Sequence, residues 1–207
     1  VITIFAAIKR NMAMNQKNLE FLRKADKIYI VAMKEELDSD LLKTPVIYTG
    51  VGKARVTRAV VKYIFDNYEL FASGKGPVIV SLGTAGSAKY KKGDILLVDN
   101  FYNNGDNFIR HRITCDTFPE PTGLVCGSSD FFVCKENFSD KQIEWMHNEF
   151  DCMDMESYAI ANICEELGVK FCAIKCVSDG ADSPVIDFDK ELPRFREILN
   201  NFAKTLE

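Results

Sequence analysis

The sequence lacks a long apolar run, a basic stripe and an even set of cysteines, and each absence removes a class of function. Its opening stretch, VITIFAAIKR, is apolar for about eight residues, far short of the ~20 that cross a bilayer. Its charges follow the run, whereas a secretory leader carries them in front. A cytoplasmic protein with no membrane partner is expected. The formal charge of −4 comes from 26 Lys and Arg interspersed with 30 Asp and Glu. No stripe is left to neutralise a phosphate backbone, so nucleic acid is not an expected partner. The seven cysteines are odd in number and lie mostly in apolar segments, which fits free thiols in a reducing compartment. Cys172 and Cys176 have no histidine nearby, and on a strand their side chains sit two pleats apart, a poor fit to zinc; no metal is expected. No Gly-Lys-Ser/Thr follows a glycine loop, so a Walker phosphate loop is absent. Repeats, low-complexity tracts and interdomain linkers are absent too.

What is present is a core. With 207 residues, 47% of them hydrophobic, the chain can bury one sizeable α/β domain, taken here as residues 1–207. Short apolar runs alternate with amphipathic ones. KIYIVAM, PVIYTG, GPVIVSLG, GDILLVD and VKFCAIKCVSD read as strands, nearly continuous in branched residues as in a sheet covered by helices on both faces. GKARVTRAVVKYIFDNYEL places Val56, Val60, Ile64 and Tyr68 on one helical face, and LPRFREILNNFAKTL, from Leu192, repeats apolar residues at the same period. Asn100 to Ser129, rich in Asn, Asp, Pro and Gly, reads as loop with some short strand.

Ligands of doubly wound sheets gather at the carboxyl ends of strands. Those ends carry Lys34-Glu35-Glu36, Gly50-Val51-Gly52-Lys53, Gly83-Thr84-Ala85-Gly86, Asp99 and Ser178-Asp179-Gly180. The glycine pair in GVGKAR opens a helix and can cradle an anion on backbone N–H groups. Arg55 stands where a dinucleotide fingerprint needs its third glycine. Glu36 alone reads as a first-turn acid, and Asp179 alone as a helix cap. Glu156 is less ordinary. At helical period it shares a face with Ala159, Ile160, Ile163 and Leu167, and a carboxylate removed from water without a partner is costly. Glu36, Glu156 and Asp179, arriving from separate elements at one sheet edge, suggest a catalytic cluster.

AMKEE, GVGKA, LGTAGS, KKGDILLVD, DMESYAIA and VSDGAD, in that order and spacing, resemble the nucleoside phosphorylase superfamily, and within it the 5′-methylthioadenosine/S-adenosylhomocysteine nucleosidases. The resemblance runs from about residue 27 to the C-terminus. It implies a single-domain three-layer α/β/α fold with a central mixed sheet, no cofactor, an adenine nucleoside as small-molecule partner, and a homodimer. It also implies roles. Glu36 would activate the attacking water, with the Thr84 hydroxyl beside it. Met155 and Glu156 would hold the ribose, Phe132 would stack on the base and the backbone of Val133 would read its edge. Asp179, next to Ser178, would protonate N7 of the leaving adenine. Breaking an N-glycosidic bond builds positive charge on the sugar and negative charge on the purine, which is why carboxylates of opposite duty are needed.

The resemblance favours hydrolysis over phosphorolysis. Phosphorylases of this superfamily carry an arginine two residues before the loop glycine, where this chain has Ser81; Lys53 or Arg55 would have to replace it. The chain departs from the pattern in a missing hairpin after AMKEELDSDLL, in residues 1–26, and in the loop Asn100–Gly127. Those regions shape the 5′ pocket in the family.

Overall fold

The computed structural model describes residues 16–72, 74–104, 111–182 and 185–207. The chain runs through α1 (Gln16–Lys24), β1 (Lys27–Val31), a 3₁₀ turn (Ser39–Leu41), β2 (Val46–Tyr48), α2 (Lys53–Asp66) and the short α3 (Tyr68–Phe71). It continues with β3 (Val78–Gly86), β4 (Ile95–Val98), β5 (Asn100–Asn103), β6 (Arg112–Thr114), β7 (Val125–Ser128) and α4 (Asp140–Glu149). Last come β8 (Cys152–Asp154), α5 (Ser157–Leu167), β9 (Phe171–Asp179) and α6 (Val185–Lys204). The described strands form one nine-stranded mixed sheet that branches at β3. Along β3, β1 pairs on one side and β9 on the other, both parallel, while its last residue, Gly86, meets Met153 of antiparallel β8. From β8 the sheet continues through β7, β5 and β6.

Strand alternation splits the core into two layers. Ile28, Ile30, Ile79, Phe171, Ala173 and Val177 pack with Val56, Val60 and Ile64 of α2 and Ala159, Ile160 and Ile163 of α5. Tyr29, Val31, Val78, Val80, Leu82, Cys172, Ile174 and Cys176 face the other way, onto Leu19 and Leu22 of α1 and Phe195, Ile198, Leu199 and Phe202 of α6. This is the helix–sheet–helix sandwich expected of strands apolar on both faces. All seven cysteines are free and six are buried.

Three expectations change in detail, while the reading of Asn100–Ser129 as loop with some short strand holds for its described residues. Three strands, β5, β6 and β7, lie in the segment Asn100–Ser129; β5 is flanked on both sides, so pairing stabilises a stretch whose polar composition reads as loop. Residues 105–110 of that segment and the opening VITIFAAIKR lie outside the described residues. Tyr68 does not extend the α2 face: α2 stops at Asp66, and Tyr68, in α3, is 66% exposed. Leu167, the last residue of α5, is 53% exposed, because periodicity reports a face and not how far the neighbouring layer reaches. The terminal helix begins seven residues before Leu192 and contains Pro193. The proline forfeits one i−4 hydrogen bond, which the buried Phe195, Leu199 and Phe202 further along outweigh.

Candidate active site

Glu36 sits in a tight turn just past β1, closed by its N–H donating to the Met33 carbonyl at 3.1 Å, so it is not the first-turn helix acid that its neighbourhood suggests. Its carboxylate is buried and held by three donors. Thr84 gives its hydroxyl at 2.6 Å and its N–H at 2.8 Å to Oε1, and Met33 gives its N–H at 3.2 Å to Oε2. Gly83 makes the approach possible, since a Cβ there would stand 3.2 Å from Oε1. Burial raises the pKa of Glu36 above the glutamate value, and the Thr84 bonds and the Lys175 cation only partly offset it.

Glu156 is the N-cap residue of α5, with φ −134° and ψ −39°, and so lies one residue outside the helix that its spacing suggests. Its carboxylate is buried and accepts the Gly52 N–H at 2.6 Å. The anion cradled by the start of α2 is therefore a side chain of the protein itself. Burial, then repulsion from Asp154, pushes Glu156 up to about 8, against the pull of Lys175 and the Gly52 bond.

Lys175 is the functional residue that sequence reasoning missed. It occupies a fully buried position in β9, on the α2 and α5 side of the sheet, and donates to the Ser81 hydroxyl at 3.0 Å. It also pairs with Asp154 at 2.8 Å. Asp154 accepts further bonds from the hydroxyls of Ser128 and Ser157. Burial alone would lower the lysine pKa, but the Asp154 charge outweighs it and the net direction is up. Asp154 moves down, because Lys175 and these donors overcome its own burial. Both are ionised. The cue was present in AIKCV, a lysine inside a strand that is otherwise apolar. The cation beside Ser81 thus comes from the neighbouring strand. Lys53 instead donates to Asn103 at 2.7 Å and pairs with Asp130 at 3.2 Å, while Arg55 is exposed.

Asp179 ends β9 and is buried. Its Oδ1 accepts the Ala181 N–H at 2.7 Å and its Oδ2 the Ser178 hydroxyl at 2.6 Å, so it closes a local turn and caps no helix. The Ser178 hydroxyl also has the Ala85 carbonyl within 3.3 Å. Gly86 leaves room for the carboxylate: a Cβ there would stand 2.7 Å from Oδ1.

One cavity of ≈ 250 Å³ brings together all eight residues named from the sequence: Glu36, Thr84, Phe132, Val133, Met155, Glu156, Ser178 and Asp179. Met33, Val51, Phe131 and Phe188 add apolar lining, and Phe188 stands 5.9 Å from Phe132, ring centre to ring centre. Behind Glu36 and Glu156 lies a small polar chamber, bounded also by Thr49, Ser81, Thr84 and Lys175, with room for about one water molecule. Among the described residues, no group of three or more His, Cys, Asp or Glu is arranged to hold a metal ion.

A branched mixed sheet between helix pairs, with buried carboxylates at the ends of its parallel strands, defines a protein of the nucleoside phosphorylase fold. Residues 118–206 match the family model for the Phosphorylase superfamily. A 5′-methylthioadenosine/S-adenosylhomocysteine nucleosidase from Shewanella oneidensis is 41% identical over 69 residues, 32% of this chain and 28% of that protein. In that match the chain spans less than a third of its relative's length. The same-named protein of Buchnera aphidicola is 27% identical over 209 residues, covering 87% of this chain and 84% of that one. Among solved structures, the 5′-methylthioadenosine/S-adenosylhomocysteine nucleosidase of Helicobacter pylori with butyl-thio-DADMe-Immucillin-A superposes with a TM-score of 0.69 at 21% identity, covering 88% of this chain and 98% of that one. The futalosine hydrolase of Helicobacter pylori strain 26695 gives 0.67 at 21%, with 88% and 97% covered. The fold is that of the superfamily, and the resemblance to its 5′-methylthioadenosine/S-adenosylhomocysteine nucleosidases, carried by the sequence motifs, holds.

Proposed function

We propose that the protein hydrolyses the N-glycosidic bond of adenine nucleosides carrying a 5′ substituent of the methylthioadenosine or S-adenosylhomocysteine type, releasing adenine and the free sugar. One observation carries the reading: Glu36, Glu156 and Asp179, from three separate elements, line a single apolar cavity of nucleoside size. In this reading Glu36, its Oε1 fixed by Thr84, takes a proton from water as the water oxygen bonds to C1′. The C1′–N9 bond breaks, and Asp179 delivers a proton to N7 of the departing base. Glu156, next to Met155, accepts the sugar hydroxyls, a contact that strengthens as positive charge grows on the ring. Phe132 offers a face to the base, and the backbone of Val133 an edge.

Phosphorolysis is the second reading, because Lys175 puts a cation against Ser81. Its charge is already matched by Asp154, however, and two further acids face the same space. A phosphate anion would meet a lysine whose charge is already balanced, beside two carboxyl groups. Base release from 5′-methylthioadenosine in phosphate-free buffer tests the proposal. No release without phosphate but release with it would support phosphorolysis, and tight binding without release in either would leave a nucleoside-binding relative.

The same reading includes a cytoplasmic homodimer. Its supports are the seven free thiols and the exposed apolar residues Val61 and Phe65 on α2. Among the described residues, no helix is long and apolar enough to cross a membrane. Sedimentation equilibrium checks the dimer.

A further inference from the structure

We infer that His147 is a positioning residue for Asp179, acting through the backbone of Ala181; the inference rests on the reading of Asp179 as the acid of the reaction. His147 lies in the last turn of α4, half-buried, with Nε2 3.2 Å from the Ala181 carbonyl oxygen. A carbonyl only accepts, so Nε2 carries the hydrogen and the tautomer follows from the chemistry of the pair. Ala181 is the one non-glycine residue among those described with positive φ, at 57°, a conformation that side chains with a Cβ seldom adopt. Surrounding contacts have to hold it there.

Three sets of contacts do so. The Ala181 methyl is buried in a cluster with Val133, Ile143, Met146, Phe150 and Met153, its N–H is given to Asp179 Oδ1 at 2.7 Å, and its carbonyl receives His147. The left-handed turn is what aims that N–H back at the carboxylate. With Oδ1 fixed, the oxygen free to carry the proton is Oδ2, because its partner, the Ser178 hydroxyl, can turn to the Ala85 carbonyl. Take away the His147 donor and the Ala181 peptide loses the bond that opposes its relaxation toward ordinary φ. Asp179 then loses its N–H partner and its orientation. The arrangement also ties two ends of one machine together, since α4 follows the Phe132–Val133 segment that lines the cavity beside Asp179.

The test compares His147→Phe, which keeps a ring and removes the donor, with His147→Gln, which keeps a donor, and His147→Glu, which matches Gln in shape without it. Amide exchange by NMR on the ligand-free protein reads the turn without reference to activity. In His147→Phe and His147→Glu the Ala181 amide should exchange more than about tenfold faster while amides from Ala173 to Val177 keep their protection, and His147→Gln should stay near wild type. With 5′-methylthioadenosine as substrate, kcat should fall about tenfold or more in Phe and Glu with KM little changed, and Gln should restore most of it. Unchanged Ala181 exchange in the Phe and Glu variants, or equal kcat losses in Gln and Glu, overturns the inference. Should His147→Phe fail to fold, the Gln and Glu pair decides alone. If the wild-type protein releases no base from any nucleoside, the functional reading fails, while the exchange result still decides whether His147 holds the turn.

Discussion

Glu156 is costly to the folded protein. It titrates near 8 when folded, whereas an unfolded glutamate does so at about 4.3. The stability linked to its proton is complete below the unfolded value and is lost as pH rises from about 4 to about 8, at up to ~1.4 kcal/mol per pH unit. Replacing Glu156 with Gln removes the titration and leaves an oxygen for the Gly52 N–H. In ligand-free protein the variant should therefore melt close to wild type at pH 5 and above it at pH 8.5, a difference of order a few kcal/mol; thermal melts across that range check it, and a pH-independent difference would contradict the elevated pKa. The same change should raise KM and lower kcat together if the carboxylate grips the sugar. Asp179 is predicted to behave differently. Asp179→Asn keeps the shape and removes the proton donor, so turnover should fall by about 10² or more while nucleoside binding changes by less than about tenfold. Calorimetric titration beside steady-state kinetics separates the two, and retention of a tenth of wild-type kcat would rule out the acid role.

At the scale of elements, strand β9 joins both halves of the site. It supplies Lys175 from its middle and Ser178-Asp179 from its end, and Lys175 crosses to Asp154 at the end of β8. Lys175→Met should cost about 3–5 kcal/mol, since it strands a buried carboxylate. Adding Asp154→Asn should recover part of that loss, because the amide oxygen can still accept from Ser128 or Ser157; urea denaturation of the single and double variants measures it. Elements of this kind differ in how far sequence reveals them. The long apolar strands β1, β3 and β9, and helix α2, were legible because burial on both faces or along one stripe leaves a period. Strands β5 and β6 were not, because Asn100, Asn103, Arg112 and Thr114 are polar and leave no apolar period; the strands are held by pairing of β5 with β6 and β7. The eight cavity residues were legible through motif order. Lys175 and His147 were not, because neither has a local pattern: one is defined by a partner on another strand and the other by a carbonyl 34 residues away.

For the molecule as a whole, the question is which nucleophile its charge distribution admits. The small chamber behind Glu36 is bounded by two acids with elevated pKa and by one lysine whose charge Asp154 already balances. Water can enter such a space neutral, give a proton to Glu36 and accept from the remaining N–H of Lys175. Phosphate would need a cation free to pair with it, and Lys175 is already engaged on two sides. Opening the Lys175–Asp154 pair to receive phosphate would leave Asp154 buried and unmatched, a cost of several kcal/mol. The predicted products are therefore adenine and a sugar with a free C1 hydroxyl. In oxygen-18 water the label should appear at that hydroxyl in the presence or absence of phosphate, at an unchanged rate. Glu36→Gln should lose about a hundredfold or more in kcat, as expected for a removed general base. A sugar 1-phosphate among the products, formed at a rate rising with phosphate, would show that the Lys175–Asp154 pair does open, and would recast Glu36 as a group that only shapes the turn after β1.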